Sequence, residues 1–197
     1  MKVFALLLSL LFFIQGTLAS ALELGPPPAK GSAIYIQDYK ILHQLQDSRT
    51  QEQCEAANRQ TMPTTTNLFG PETGVLTAAE LKSVVVESDQ LLAKIVKLCS
   101  PFKGQYVRIR PYDADPTLHP CVKIPGGQRS YPSTHAAAGI LLSKFIASKF
   151  PAKRDQILRQ GMQIGLNRVL GGVHHPSDVT AGRSLGRQAA KELLEIE

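Results

Sequence analysis

The chain has 197 residues, 22 Lys+Arg against 16 Asp+Glu for a formal charge of +6, and 43% hydrophobic residues. That apolar content excludes a disordered or collagen-like chain, and the length fits one domain around one core. No self-similar period marks a repeat protein, and the absence of Trp with only 6% aromatics argues against stacking platforms for nucleic-acid bases.

Residues 1–21 read as an export signal. Lys2 gives a positive start, Val3 to Ile14 is apolar apart from Ser9, and Gln15-Gly16 breaks the run. Ala19-Ser20-Ala21 then offers an A-x-A cleavage signature before Leu22. The run falls short of the ~20 residues that span a bilayer, so cleavage after Ala21 is expected, giving a periplasmic or secreted protein. No later stretch is long and apolar enough to cross. Gly25-Pro26-Pro27-Pro28 makes residues 22–32 an extended arm, and the domain proper is expected over 33–197.

A first helix is predicted from near Ser32, using Ile34, Ile36, Tyr39, Leu42 and Leu45. A second starts at Thr50, where Gln53 completes a capping box. Thr61 to Gly74, broken by Pro63, Gly70 and Pro71, reads as loop. Thr77 with Glu80 is another capping box and opens a helix to about Cys99. Pro111 to Tyr131 contains Pro116, Pro120, Pro125 and Gly126-Gly127, an irregular stretch of the length that tends to carry function. Ser133 caps a helix from Thr134 to about Phe150, and Pro151 separates it from a helix over about residues 152–170. Gly171-Gly172 breaks the chain, and Pro176 or Ser177 starts a last helix to about Ile196. Period-2 alternation is nowhere sustained, so the expected fold class is all-α, a single-domain helical bundle.

Cys54, Cys99 and Cys121 survive cleavage in a compartment that permits disulfides. Cys99 continues the apolar stripe Leu81, Val84/Val85, Leu92 and Ile95/Val96 and reads as a buried small hydrophobe. That leaves Cys54–Cys121 as the preferred bond. Charge is unevenly placed: residues 22–99 carry seven basic and nine acidic side chains, net −2, whereas residues 100–197 carry fourteen and seven, net +7. An anion-seeking site is therefore expected in the second half.

Three anomalies fall there. Ile157, Gly161, Ile164 and Arg168 share one helix face, with Leu158, Met162, Gly165 and Val169 beside it, so Arg168 points coreward. A guanidinium there needs a buried carboxylate or a bound anion. His135 stands just inside the helix opened by Ser133, where unpaired backbone N–H groups favour anions, and the small residues Ala136 to Gly139 follow it. His174 and Asp178 are four apart across the start of the last helix. The carboxylate can fix the imidazole's tautomer and leave the opposite nitrogen to act as nucleophile or base. His175 reads as a surface neighbour, and His-His-x-x-Asp lacks the further ligands of a metal site.

Lys103 to Pro111 matches K-x6-R-P, Pro132-Ser133-Thr134-His135 resembles P-S-G-H, and Asn167-Arg168-x5-His174-x3-Asp178 resembles S-R-x5-H-x3-D. In this order the blocks resemble the type 2 phosphatidic acid phosphatase and vanadium haloperoxidase superfamily. The exported start, the Pro-rich arm and the Tyr-x-Arg-Ile-Arg-Pro and Ser-Tyr-Pro-Ser blocks are most similar to its class A non-specific acid phosphatases.

The resemblance implies an all-helical bundle and phosphomonoester hydrolysis through a phosphohistidine, with no metal and no other cofactor. His174 would be the nucleophile, Asp178 its orienting partner and His135 the acid that protonates the leaving alcohol. Lys103, Arg110 and Arg168 would hold the phosphoryl oxygens, with Ser133 and the N–H of Thr134 completing the cradle. Expected partners are small phosphomonoesters, with inorganic phosphate or vanadate as active-site anions. Neither nucleic acid nor stable membrane insertion after cleavage is expected, and homo-oligomerisation stays open. Thr134 stands where the motif has Gly, and Asn167 where it has Ser. Two rivals use the same groups: a haloperoxidase holding vanadate, and an exported protein that captures phosphate without turnover. The pairing of His135 with His174 and Asp178 favours chemistry over capture.

Overall fold

The computed structural model describes residues 22–125 and 129–194. The export signal, Gly126-Gly127 and the expected helix end near Ile196 lie outside the described residues. Helix α1 (Ala33–Ser48) starts where the Ser32 side chain accepts the Tyr35 N–H. Helices α2 (Gln51–Arg59) and α4 (Ala78–Gln105) open on the two capping boxes, Thr50 with Gln53 and Thr77 with Glu80. Such boxes satisfy orphan donors within one turn, which is why local sequence suffices to place them.

Three elements depart from expectation, one of them the single turn Pro111–Ala114 at the head of the stretch that reads as irregular. Helix α3 (Thr65–Phe69) forms inside the stretch that reads as loop. It is held from a distance: Asp89 of α4 accepts from the Thr65 N–H at 3.1 Å and from its hydroxyl at 2.7 Å, while Leu68 and Phe69 enter the core. Helix α4 runs past Cys99, through Pro101, to Gln105. The proline forgoes one helical hydrogen bond, but Leu98 and Phe102 pack on the core and carry the helix onward. That extra length places Lys103 on its last turn.

After the short α5 (Pro111–Ala114) come α6 (Thr134–Lys149), α7 (Arg154–Leu170) and α8 (Pro176–Leu194). Helix α6 is the axis of the bundle, packed by α4, α7 and α8. Nearly every residue from Ala136 to Ala147 is buried, as an all-round apolar helix must be. Gly139 and Gly161 bring α6 and α7 into backbone contact, since a Cβ on either would collide with the other's carbonyl. Helix α1 lies along α7 and α8 at the edge. It buries Leu42 as expected, but Ile34 and Ile36 are each 61% exposed, and its other buried residue is Asp38. The Cys54–Cys121 disulfide forms as expected and ties α2 to the loop after α5, leaving Cys99 as a buried free thiol. Among the described residues no helix is long and apolar enough to cross a membrane.

Candidate active site

The three sequence blocks meet at one end of the bundle. Lys103 comes from α4, His135 from the first turn of α6, Arg168 from the last turn of α7 and Asp178 from the first turn of α8. Arg110 lies on an extended stretch before α5 in which Arg108 and Arg110 turn inward, while Val107 and Ile109 are 70% and 47% exposed. A pocket of 250 Å³ is lined by Lys103, Arg110, Thr134, His135, Arg168 and His174, with Thr61, Pro125 and Arg129 around them. No carboxylate is among these residues. Ser133 and Asp178 are fully buried behind the wall, and the Ser133 hydroxyl caps α6 by accepting the Ala136 N–H. A Cβ at Gly182 would sit on the Ser133 carbonyl, so this glycine lets α8 carry Asp178 close to the head of α6.

Asp178 is the hub. Its Oδ1 accepts from Arg108 Nη1 at 2.6 Å, and its Oδ2 accepts from the Ser130 hydroxyl at 2.6 Å and the His175 N–H at 2.9 Å. His174 Nδ1 lies 3.3 Å from Oδ2 and His175 Nδ1 3.2 Å. Burial acts to raise the carboxyl's pKa, but the hydrogen bonds from His174 and His175 outweigh it and hold the group well below the carboxylate range. Arg108 also donates to Asp38 on α1 at 3.0 Å and to the Ser177 hydroxyl at 2.8 Å; Asp38 in turn accepts from the N–H and hydroxyl of Ser177.

Because an ionised carboxylate only accepts, His174 carries its proton on Nδ1 and presents a lone pair on Nε2. That nitrogen lies 3.5 Å from Arg110 Nη1, which also donates to the Val173 carbonyl at 2.6 Å. Burial first, and then Arg110 and Lys103, push His174 down to about 3 against the pull of Asp178, so the imidazole is neutral at pH 7. Burial, and then Arg168, push His135 down to about 3 as well, opposed by the hydrogen bonds its ring donates to the backbone carbonyls of Gln60 and Thr61.

The cations tell a matching story. Arg168 is 2% exposed, donates from Nη1 to the Ala57 carbonyl at 3.3 Å, and leaves Nε without a hydrogen-bond partner among the described residues. Among the described residues no carboxylate is paired with it. Burial and Arg110 lower Arg168 to about 10 and Lys103 to about 8, and both stay protonated at neutral pH. Three converging cations with a lone pair among them can seat a tetrahedral anion and attack it. Among the described residues no group of three or more His, Cys, Asp and Glu side chains is placed to hold a metal.

His175 requires a correction. It is 1% exposed, wedged between Asp178 and the ring of Tyr39, and is no surface neighbour. Sequence reasoning also missed Arg108, Asp38, Ser130 and Gln60. For Asp38 a signal existed: it stands four residues before Leu42, on the one face of α1 that is buried.

The PAP2 superfamily family model matches residues 89–194. A non-specific acid phosphatase of Salmonella typhimurium is 42% identical over 57 residues, a match covering 29% of this chain and only 23% of that protein's length. One of Providencia stuartii is 25% identical over 194 residues, covering 93% of this chain and 78% of its own. Two solved structures share the fold. The transmembrane PAP2-type phosphatidylglycerolphosphate phosphatase from Bacillus subtilis has a TM-score of 0.58 at 18% identity, covering 82% of this chain and 84% of that one. A bacterial vanadium-dependent iodoperoxidase has a TM-score of 0.67 at 15% identity, covering 90% of this chain and 53% of that one. The family match takes in every residue from Lys103 to Asp178 that shapes the pocket's charge, and the chain belongs to the PAP2 superfamily.

Proposed function

We propose that this protein is an exported, metal-independent phosphomonoester hydrolase working through a phosphohistidine. The observation that carries the reading is the neutral His174, its Nδ1 held by Asp178 and its Nε2 turned to a pocket of three cations. The names of the Salmonella and Providencia relatives support it. The phosphoryl group seats against Lys103, Arg110, Arg168 and the Thr134 N–H, with Ser133 holding the head of α6 in place. Nε2 of His174 attacks phosphorus, the bond to the ester oxygen breaks, and the leaving oxygen takes a proton from His135. Water then gives a proton back to His135 and attacks the phosphohistidine, freeing inorganic phosphate and His174. Positioning and charge stabilisation are most of what such a transfer needs.

The pH dependence follows from His135. Its acid role needs the protonated form, which burial and Arg168 disfavour; the negative charge of a bound phosphoryl group favours it. Turnover of esters with poor leaving groups should therefore fall as pH rises. Small phosphomonoesters suit a pocket whose recognisable groups all address phosphate, diesters should be poor, and vanadate should compete. Export rests on residues 1–21, and the exported chain should begin at Leu22.

The test is phosphate release from alkyl and aryl monoesters with chelator present, together with acid-quenched labelling by a radioactive ester. His174→Ala should abolish turnover and label. His135→Ala should cripple alkyl esters but partly spare activated aryl esters. Labelling that survives His174→Ala but not His135→Ala reverses the roles. No release from any ester leaves phosphate capture, and vanadate-dependent halide oxidation would mark a haloperoxidase.

A further inference from the structure

We propose that the carboxyl end of α2 is part of the catalytic apparatus, with Gln60 and Asn167 as positioning residues that aim a backbone carbonyl at His135. The proposal rests on the phosphatase reading, in which His135 is the acid, and deepens it. The last carbonyls of a helix have no partner within it and carry partial negative charge. Two carbonyls at the end of α2 face the site: Ala57 O, which also takes the N–H of the capping Gln60, accepts from Arg168 Nη1 at 3.3 Å, and Gln60 O lies 3.0 Å from His135 Nε2. A carbonyl only accepts, so Nε2 keeps its hydrogen in both charge states and Nδ1 is the nitrogen that takes up and releases the catalytic proton.

The surroundings show why this carbonyl matters. Lys103 from α4, Arg110 from the stretch before α5, Arg129 before α6, Arg168 from α7 and His174 before α8 line the same pocket as His135. None is acidic, and the cations oppose protonation of the imidazole. The Gln60 and Thr61 carbonyls favour it. They sit where a helix ordinarily frays, beyond its last residue, yet Gln60 is 5% exposed and fixed. Its side-chain oxygen accepts from Asn167 Nδ2 at 2.9 Å, and Asn167 Oδ1 accepts from Gln163 Nε2 at 2.7 Å.

Asn167 thus clamps α2 from the residue next to Arg168. An amide supplies the donor for Gln60 and the acceptor for Gln163 at once, across a distance the shorter serine of the resembled motif does not reach. Residues 51–60 precede the stretch matched by the family model, so this arm of the site belongs to the part of the chain outside it.

The experiment compares Asn167→Ala, Gln60→Ala and the double variant with the parent, using an alkyl phosphate, 4-nitrophenyl phosphate and inorganic phosphate as probes. The alkyl ester should lose roughly tenfold or more in kcat, with its alkaline limb moved to lower pH, while the aryl ester changes little. The double variant should be no worse than either single one, as for two halves of one clamp. In phosphate-loaded protein, the NMR titration of His135 should fall by about half a unit or more. Equal losses for both esters with an unmoved limb and titration would reduce the clamp to a structural role and sink the proposal. Asn167→Ser carries the same comparison should the alanine variant not fold. A parent that hydrolyses neither ester defeats the phosphatase reading by itself, and the His135 titration still decides the clamp.

Discussion

Lys103 stands on the last turn of α4 with its ammonium on two backbone carbonyls, Arg129 O at 3.0 Å and Pro132 O at 2.6 Å. Burial together with Arg110 brings its pKa down to about 8. Phosphate binding needs the charged form, which is full below that value and lost above it. The kcat/KM of the proposed reaction should therefore fall above pH 8 through a rising KM. Lys103→Met should flatten that limb while costing on the order of tenfold or more in KM at pH 7; a pH profile of KM for both proteins checks it, and a limb that persists in the variant contradicts the assignment. At this scale the sequence is informative wherever spacing carries the chemistry. Arg168 is legible because a helix face with period 3.6 leaves it no exposed direction, and His174 with Asp178 because four residues bridge one turn. His175 is not, since it stands in the turn before α8, where helical phase has no meaning. Arg108 looks like one more basic residue until the chain brings Asp38 and Asp178 to it.

The elements divide the same way. Capping boxes are local and predict where α2 and α4 begin, whereas α3 depends on Asp89, 24 residues from Thr65, and α4 ends where tertiary packing of Phe102 lets it. Elimination sufficed for the disulfide, because the periodicity of α4 accounts for Cys99 and leaves two thiols. The cross-link joins residues 67 apart. By loop-closure entropy it restricts the unfolded chain by about 4 kcal/mol, an upper figure for its contribution. It also pins the very helix whose end faces His135 and Arg168. Denaturant unfolding with and without reductant should show a lower midpoint for the reduced protein, and the alkyl ester should lose turnover in mild denaturant before the aryl ester does. Coincident midpoints would show that packing alone holds α2.

Over the whole molecule, the site gathers α2, α4, α6, α7 and α8 at one end of the bundle, and α1 joins it through Asp38. Arg108 lies midway, reaching 70 residues back to Asp38 and 70 forward to Asp178. A buried guanidinium with only part of its countercharge is costly, and this one is completed in two instalments set by the order of synthesis. Its first carboxylate is already made when Arg108 leaves the ribosome. The second arrives only with α8, which also supplies buried Leu185, Ala189 and Ala190 to the core. Chains halted at Val173 should therefore be cut readily by protease, and chains extended through Leu194 and clear of the ribosome should resist; equal resistance would show that the earlier helices close without α8. Arg108 thus lacks its second carboxylate until α8 docks, and the chain acquires the geometry of the candidate site and its compactness together.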